Sequence, residues 1–470
     1  MKRSIFFVIF AFVVACTDSE LMSESVDEMR TGNDKVVVST DTVSSKVITL
    51  EEARTTLENF LRESDFFSIS KRSKTSGSKR ISEGFALKFG KRSLSKASGN
   101  DADKKIYVFN FEDEGGFALM SASRETPPIF AITDGGNLDT AKEIDNPGLA
   151  MFMATLETKI MNGDLKSESD SSFRSTSLSK ASEDKEWSVY YRLSGKDKIY
   201  KLSSGLCPYW NQNYPYNKYC PIDSIPKKSS VDKNGNILRL DSVGNLPAGC
   251  VPVACALLMS TYRYPNSYKG KSLDMESMVS GKKNDDVAWL LSRLGDPVNL
   301  NTTYKYDGSS SNSNNIPRTL RNFGYSNGGQ NKSFSSFDIK QELKKGYPVL
   351  ISGCSFTKDS ITPSGSLWWE YSGGHQWIGQ GLMEVTYKID HFIGEGPYTR
   401  FLGSTTETFS YILCNMGWGD CSSNGYYLCD VFDTNKGPAF DENGCSKRAI
   451  ISGEKYVYKY NFMAVTGIRK

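Results

Sequence analysis

The segment Asn245-Leu-Pro-Ala-Gly-Cys-Val-Pro-Val-Ala-Cys-Ala-Leu-Leu-Met-Ser-Thr-Tyr-Arg-Tyr-Pro265 admits few structures. Pro247 and Gly249 make a turn, and Pro252 suits the first turn of a helix, where a missing N–H costs nothing. Val253, Ala254, Leu257, Leu258 and Tyr262 then give a helix that is apolar all round, must be buried, and must end before Pro265. Cys250 therefore stands at a helix N-terminus. Unpaired N–H groups and the helix dipole favour a thiolate there, and one of those N–H groups can face an oxyanion. A structural cysteine at a turn is the competing reading.

The chain holds only two histidines, so any imidazole chemistry uses His375 or His391. Ser372-Gly-Gly-His-Gln-Trp-Ile-Gly reads as a glycine-led strand with His375 at its start, where backbone can pass close to a ligand. His391 follows the strand-like run Met383-Glu-Val-Thr-Tyr-Lys and reads as a surface or strand-end histidine. Tyr411-Ile-Leu-Cys-Asn-Met-Gly-Trp-Gly ends a strand on Asn415, which can accept from one ring nitrogen and fix a tautomer.

At 470 residues the chain is long enough for two or three domains. Lysine plus arginine (57) nearly balances aspartate plus glutamate (54), and the lysines are not interleaved with aromatics, which sets nucleic acid aside as a partner. Lys2 and Arg3 precede the apolar run Ile5–Ala15, too short to span a bilayer and read as an export signal. The run stops at Cys16 after Val13-Val-Ala, as in a bacterial lipobox. Residues 1–16 are thus a signal peptide with lipobox, Cys16 the acylated residue, and 17–46 a polar tether. The expected location is outside the cytoplasm, lipid-anchored at a bacterial outer membrane or cell surface, with release on processing. The alternative is an ordinary secretory signal with Cys16 a mere hydrophobic residue. Export puts the other nine cysteines where disulfides can form, but spacing does not fix their pairing. Cys255 and Cys354 read as small buried thiols. With two histidines and no CxxC, no metal site is expected.

Residues 47–162 form a small α+β domain. Its first helix starts at Thr49, with Glu52 three residues on. A Ser/Lys-rich loop follows, roughly 68 to 100, then strands at Lys105–Phe111, Gly116–Ala122 and Ile129–Thr133, and a helix after Asn146-Pro147. Residues 163–186 are polar and read as an exposed, readily nicked linker, which with the next three residues makes an activation segment, 163–189. Residues 190–470 form the large domain, rich in cysteine, tryptophan and tyrosine.

These motifs resemble the streptopain family (C10) of papain-like cysteine peptidases. Gly249-Cys-Val with its alanine-containing helix resembles the family's nucleophile helix, Gly373-Gly-His375 its histidine strand, and Asn415-Met-Gly-Trp-Gly its Asn-Trp-Gly-Trp-Gly turn. Trp210-Asn-Gln-Asn-Tyr-Pro-Tyr-Asn resembles the segment whose glutamine completes the oxyanion hole, here Gln212. Tyr107-Val-Phe-Asn and Gly116-Phe-Ala-Leu-Met-Ser resemble its inhibitory propeptide. The resemblance implies an α+β, papain-like fold: a helical part with the nucleophile helix packed on an antiparallel β part, preceded by the prodomain. It implies a zymogen that hydrolyses peptide bonds, without cofactor, once its own intramolecular inhibitor is removed. Cys250 is the implied nucleophile and His375 its base, with Gln212 and Asn415 in support. Gly374, Met416, Trp418 and Trp377 are expected beside the substrate, as are Trp368 and Trp369, core packing being the alternative for Trp368, Trp369 and Trp377.

Two departures stand out. Met416 occupies the position of the family's first tryptophan, which shields the histidine. About forty residues separate His375 from Asn415, implying an inserted hairpin around 389 to 405. The same residues could serve an amidase or a transglutaminase-like acyltransferase, or survive in a non-catalytic surface lipoprotein.

Overall fold

The computed structural model describes residues 46–63, 79–88, 105–139, 144–177, 187–194, 198–202, 207–222, 230–231, 237–239, 244–355, 374–394, 400–419, 423–434 and 460–470. Cys16, the tether, Trp368 and Trp369 lie outside them.

The described residues open with helix α1 (Leu50–Glu63) and strands β1 (Ile81–Lys88), β2 (Lys105–Phe111), β3 (Phe117–Ser121) and β4 (Ile129–Thr133). Helices α2 (Pro147–Asn162) and α3 (Glu168–Ser177) follow, then β5 (Trp187–Leu193) and β6 (Lys198–Lys201). The large domain adds α4 (Cys250–Tyr262), α5 (Asn284–Leu294), α6 (Ile316–Asn322), β7 (Asn327–Ser333) and α7 (Ser336–Lys344). It closes with β8 (Val349–Ser355), β9 (Gly374–Ile393), β10 (Arg400–Asn415), β11 (Gly425–Leu428), α8 (Cys429–Phe432) and β12 (Tyr460–Arg469).

Local chemistry explains the ends of these elements. Thr49 and Glu52 cap α1 reciprocally: the Glu52 N–H donates to Thr49 Oγ1 (3.2 Å) and the Thr49 N–H to Glu52 Oε2 (3.1 Å). Asn146 Oδ1 accepts from the N–H groups of Gly148 (3.0 Å) and Leu149 (3.3 Å), and Pro147 opens α2. At its far end Gly163 takes the left-handed conformation that closes the helix. The Ser/Lys-rich stretch read as loop contains β1: Phe85 and Leu87 alternate inward, and the strand pairs with β2. Two buried side chains among serines and lysines are a weak signal, decisive only once a partner strand is present.

One antiparallel sheet runs through both domains in the order β1-β2-β3-β4-β11-β10-β9-β8-β12-β7, with β5 and β6 also on β9. The joint is β4 on β11, where Thr133, Ile132 and Ala131 face Gly425, Tyr426 and Tyr427. One apolar cluster covers one face and includes Trp377, Phe432, Phe462 and the α2 residues Met151, Phe152 and Leu156. The other cluster packs α4, α5 and α6 against Leu350, Ile378 and Val465. Because strand side chains alternate, Trp377 and Ile378 enter different cores. The fold is thus mixed α and antiparallel β, with the Cys250 helix packed on the sheet.

The 163–186 segment departs from expectation. Leu165 is buried, and 168–177 is helical and packed on β10. The polar sequence cannot order itself alone; the large domain supplies the missing surface. Residues 178–186 lie outside the described set. Cys255 is buried as expected, whereas Cys354 is exposed at the end of β8.

Candidate active site

The alternation along β9 organises the site. His375 shares the face of Trp377, and Gln376 shares the face of Ile378, toward α4. Cys250 is the first residue of α4 and Gly249 its N-cap, at φ +93°. A Cβ on Gly249 would lie 3.2 Å from the Ser309 carbonyl, so the glycine meets both a backbone and a space requirement. The N–H groups of Gln376, Cys250 and Val251 point at the Cys250 sulfur.

Gln212 is brought to the same place. Its carbonyl accepts from the Ala248 N–H at 2.8 Å, two residues before Cys250. Asn217 Nδ2 donates to the Asn245 carbonyl (2.8 Å) and Asn245 Nδ2 to the Cys220 carbonyl (2.7 Å), stapling the two segments together.

His375 is 3% exposed. Its ring lies near-parallel to Trp377 (centroids 5.9 Å apart) and edge-on to Trp418 (5.5 Å). Its Nε2 donates to the Met416 carbonyl at 2.9 Å, which assigns the proton to that nitrogen. This corrects the expected role of Asn415. The Asn415 amide is committed elsewhere: Nδ2 donates to the Pro208 carbonyl (3.1 Å), and Oδ1 accepts from the Gly417 N–H (3.0 Å). Asn415 thus ties the histidine turn to the segment leading into Gln212. A residue not singled out from sequence, Asn424, completes the arrangement. Its Oδ1 accepts from the Met416 N–H at 2.8 Å, fixing the peptide that holds the ring. Ser423-Asn-Gly425 reads only as a turn, so nothing local marks Asn424.

The residues expected beside the substrate divide. Gly374 is exposed at the start of β9, and Trp418 is partly exposed against the ring. Trp377 is fully buried and packs on Phe432 and Phe462, so core packing holds it. Met416 is also fully buried, and the prodomain covers it. A Cβ built on Gly148, in the first turn of α2, would lie 2.6 Å from Met416 Sδ and 3.4 Å from His375 Cδ2. Met151, one turn on, packs against Gly353, the β8 partner of His375. His391 is not at the surface either; it is fully buried under Phe173.

Burial sets the charge state. It pulls the His375 imidazole down to about 4, with the Met416 carbonyl acting the other way. It pushes the Cys250 thiol up, opposed by the N–H groups of Gln376, Cys250 and Val251. Under the prodomain the two groups are a neutral imidazole and a thiol.

Residues 210–280 and 271–427 match the Peptidase C10 family. The chain is a C10 cysteine peptidase. Residues 45–160 match the Spi protease inhibitor family, so this peptidase carries its inhibitor ahead of it and is a zymogen. Among solved structures, a fragment of prointerpain A from Prevotella intermedia is similar at 16% identity, covering 82% of this chain and 98% of that one, with a TM-score of 0.43. No curated protein matched.

Two results are expected of the C10 peptidase. In the uncut zymogen, alkylation of Cys250 by iodoacetamide should be slow at pH 6 to 7 and climb with pH beyond 9, because the thiol must lose its own proton. Prodomain removal relieves the burial that holds the imidazole down and the thiol up, and alkylation at pH 6 should rise about 100-fold. Mass mapping of the Cys250 peptide reads this directly, and equal rates in the two forms would refute it. Separately, Asn424→Leu should lower kcat about 100-fold with little change in KM, and Asn424→Asp, which keeps the acceptor, should recover most of it. Equal losses in both variants would reduce Asn424 to a packing residue.

Proposed function

We propose that Cys250 is the nucleophile and His375 the base of an exported endopeptidase, held inactive by α2 until the chain is cut within 178–186. The observation that carries this is the placement of Cys250 at the N-terminus of α4, beside the β9 strand that presents His375. In the proposed reaction the thiolate attacks the peptide carbonyl, and the Cys250 N–H and Gln212 side chain hold the oxyanion. The imidazolium protonates the leaving amine. The neutral ring then deprotonates water, which hydrolyses the acyl-enzyme. The Met416 carbonyl keeps the Nε2 proton in place, leaving Nδ1 to exchange the proton. Gly374 and Trp418 border the substrate.

Residues 1–16 support export, and Cys16 supports a lipid anchor at the cell surface. Among the described residues no helix is long and apolar enough to cross a membrane.

Cys250→Ser and His375→Ala should each abolish processing and peptide hydrolysis, measured on a fluorogenic peptide after the linker is cut by an added protease. Wild-type activity in either variant would reject the assignment. The cover on the site gives a second test. Gly148→Val forces a side chain between Met416 and the imidazole, and should weaken the seat of α2 by about 1–3 kcal/mol. The uncut Gly148→Val zymogen should then hydrolyse the peptide measurably, where the uncut wild type does not.

A further inference from the structure

The long hairpin β9–β10 extends past the site and meets the chain on both sides of the expected cut. On one side lies α3, beyond the 45–160 span of the inhibitor family. The Glu407 carboxylate accepts from Ser167 Oγ, from Ser169 Oγ (2.9 Å) and from the Glu168 N–H (3.3 Å), meeting the open first turn of α3 with a negative charge. One turn along, Phe173 stacks on His391, with centroids 4.2 Å apart and planes at 17°. His391 Nε2 bonds Thr405 Oγ1 (2.8 Å), which donates to Ser169 Oγ (3.3 Å). Gly403 leaves room for the Phe173 ring, since a Cβ there would sit 3.1 Å from its Cζ. On the other side, β5 pairs along Tyr387–Ile393, and Arg192 Nε donates to Asp390 at 2.6 Å.

The turn that leads into α3 is fastened to the prodomain. Buried Leu165 fixes the turn that joins α3 to α2, Lys166 pairs with Glu125 at 3.0 Å, and the Ser167 N–H donates to the Glu125 carbonyl. We propose that the β9–β10 hairpin is a docking surface for the cleaved prodomain, with α3 as its second anchor. Cutting within 178–186 then leaves the prodomain bound as an inhibitor in trans, and its release is a separate step governed by Glu407, His391 and Phe173.

This rests on the zymogen reading above, and the test separates the two. The full chain is prepared with Cys250→Ala and a cleavage sequence for an unrelated protease within 178–186. After cutting, release of the prodomain is followed by size exclusion and native mass spectrometry. The otherwise unaltered chain should remain one complex, whereas Phe173→Ala and Glu407→Ala should each release the prodomain at least tenfold faster. Phe173→Ala combined with His391→Ala should release it no faster than either alone. Unchanged release rates would overturn the proposal. Should a hairpin variant fail to fold, Phe173→Ala, on the prodomain side, decides alone. Peptide hydrolysis by the cut enzyme with Cys250 intact tests the zymogen reading, whatever the release rates.

Discussion

The pairing of β4 with β11 is the contact on which the rest of this zymogen depends. It makes inhibitor and peptidase one sheet, so the prodomain adds ordered strands to an edge instead of resting a surface on a surface. Backbone pairing fixes register, and register fixes where α2 falls. The approach is close: a Cβ on Gly425 would stand 2.3 Å from the Ile132 carbonyl. From that joint the chain leads to Asn146, whose cap starts α2 beside His375.

The same joint carries a half-buried polar link. Tyr209, from the segment before Gln212, donates to Asp134 at the end of β4, and the Asp134 N–H donates to the Asn424 carbonyl at 2.8 Å. Burial lifts the Asp134 carboxyl to about 6, partly offset by Lys79, whose own ammonium burial lowers to about 8. Lys79 in turn donates to the carbonyls of Gly115 and Thr133. A prodomain seated elsewhere would leave the Asp134 carboxylate without its Tyr209 donor, so the link across the joint adds less to net stability than it costs a misplaced docking. Asn424 therefore touches the prodomain through its main chain and the histidine turn through its side chain. The docked prodomain and the seat of the imidazole share one residue.

What could be read from sequence was local. The turn at Pro247–Gly249, the start of α4, the glycine-led strand at His375 and the caps at Thr49 and Asn146 follow from residues within a turn of one another. What could not be read was tertiary. Strand β1 has Phe85 and Leu87 as its only clear signal, and α3 is polar in sequence because its apolar contact is one ring, Phe173, against a distant histidine. Trp377 reads equally as cleft or core until the alternation on β9 places it beside Phe432. The partner of His375 had no signature at all, because a carbonyl oxygen is present in every residue.

That last point explains how the site tolerates methionine at 416. If the side chain at this position held the ring, its identity would be fixed by chemistry. The acceptor is instead the main-chain oxygen, and the peptide is held from its N–H side by Asn424. The side chain is left with one task, keeping water from the hydrogen bond, which an unbranched thioether can meet. Trp377 lies near-parallel to one face of the imidazole and Trp418 stands edge-on to it, so Met416 does not shield the ring alone. Met416 Sδ also fills the space that a Cβ on Gly148 of α2 would need, and so a single position serves the enclosure of the histidine and the fit of the inhibitor.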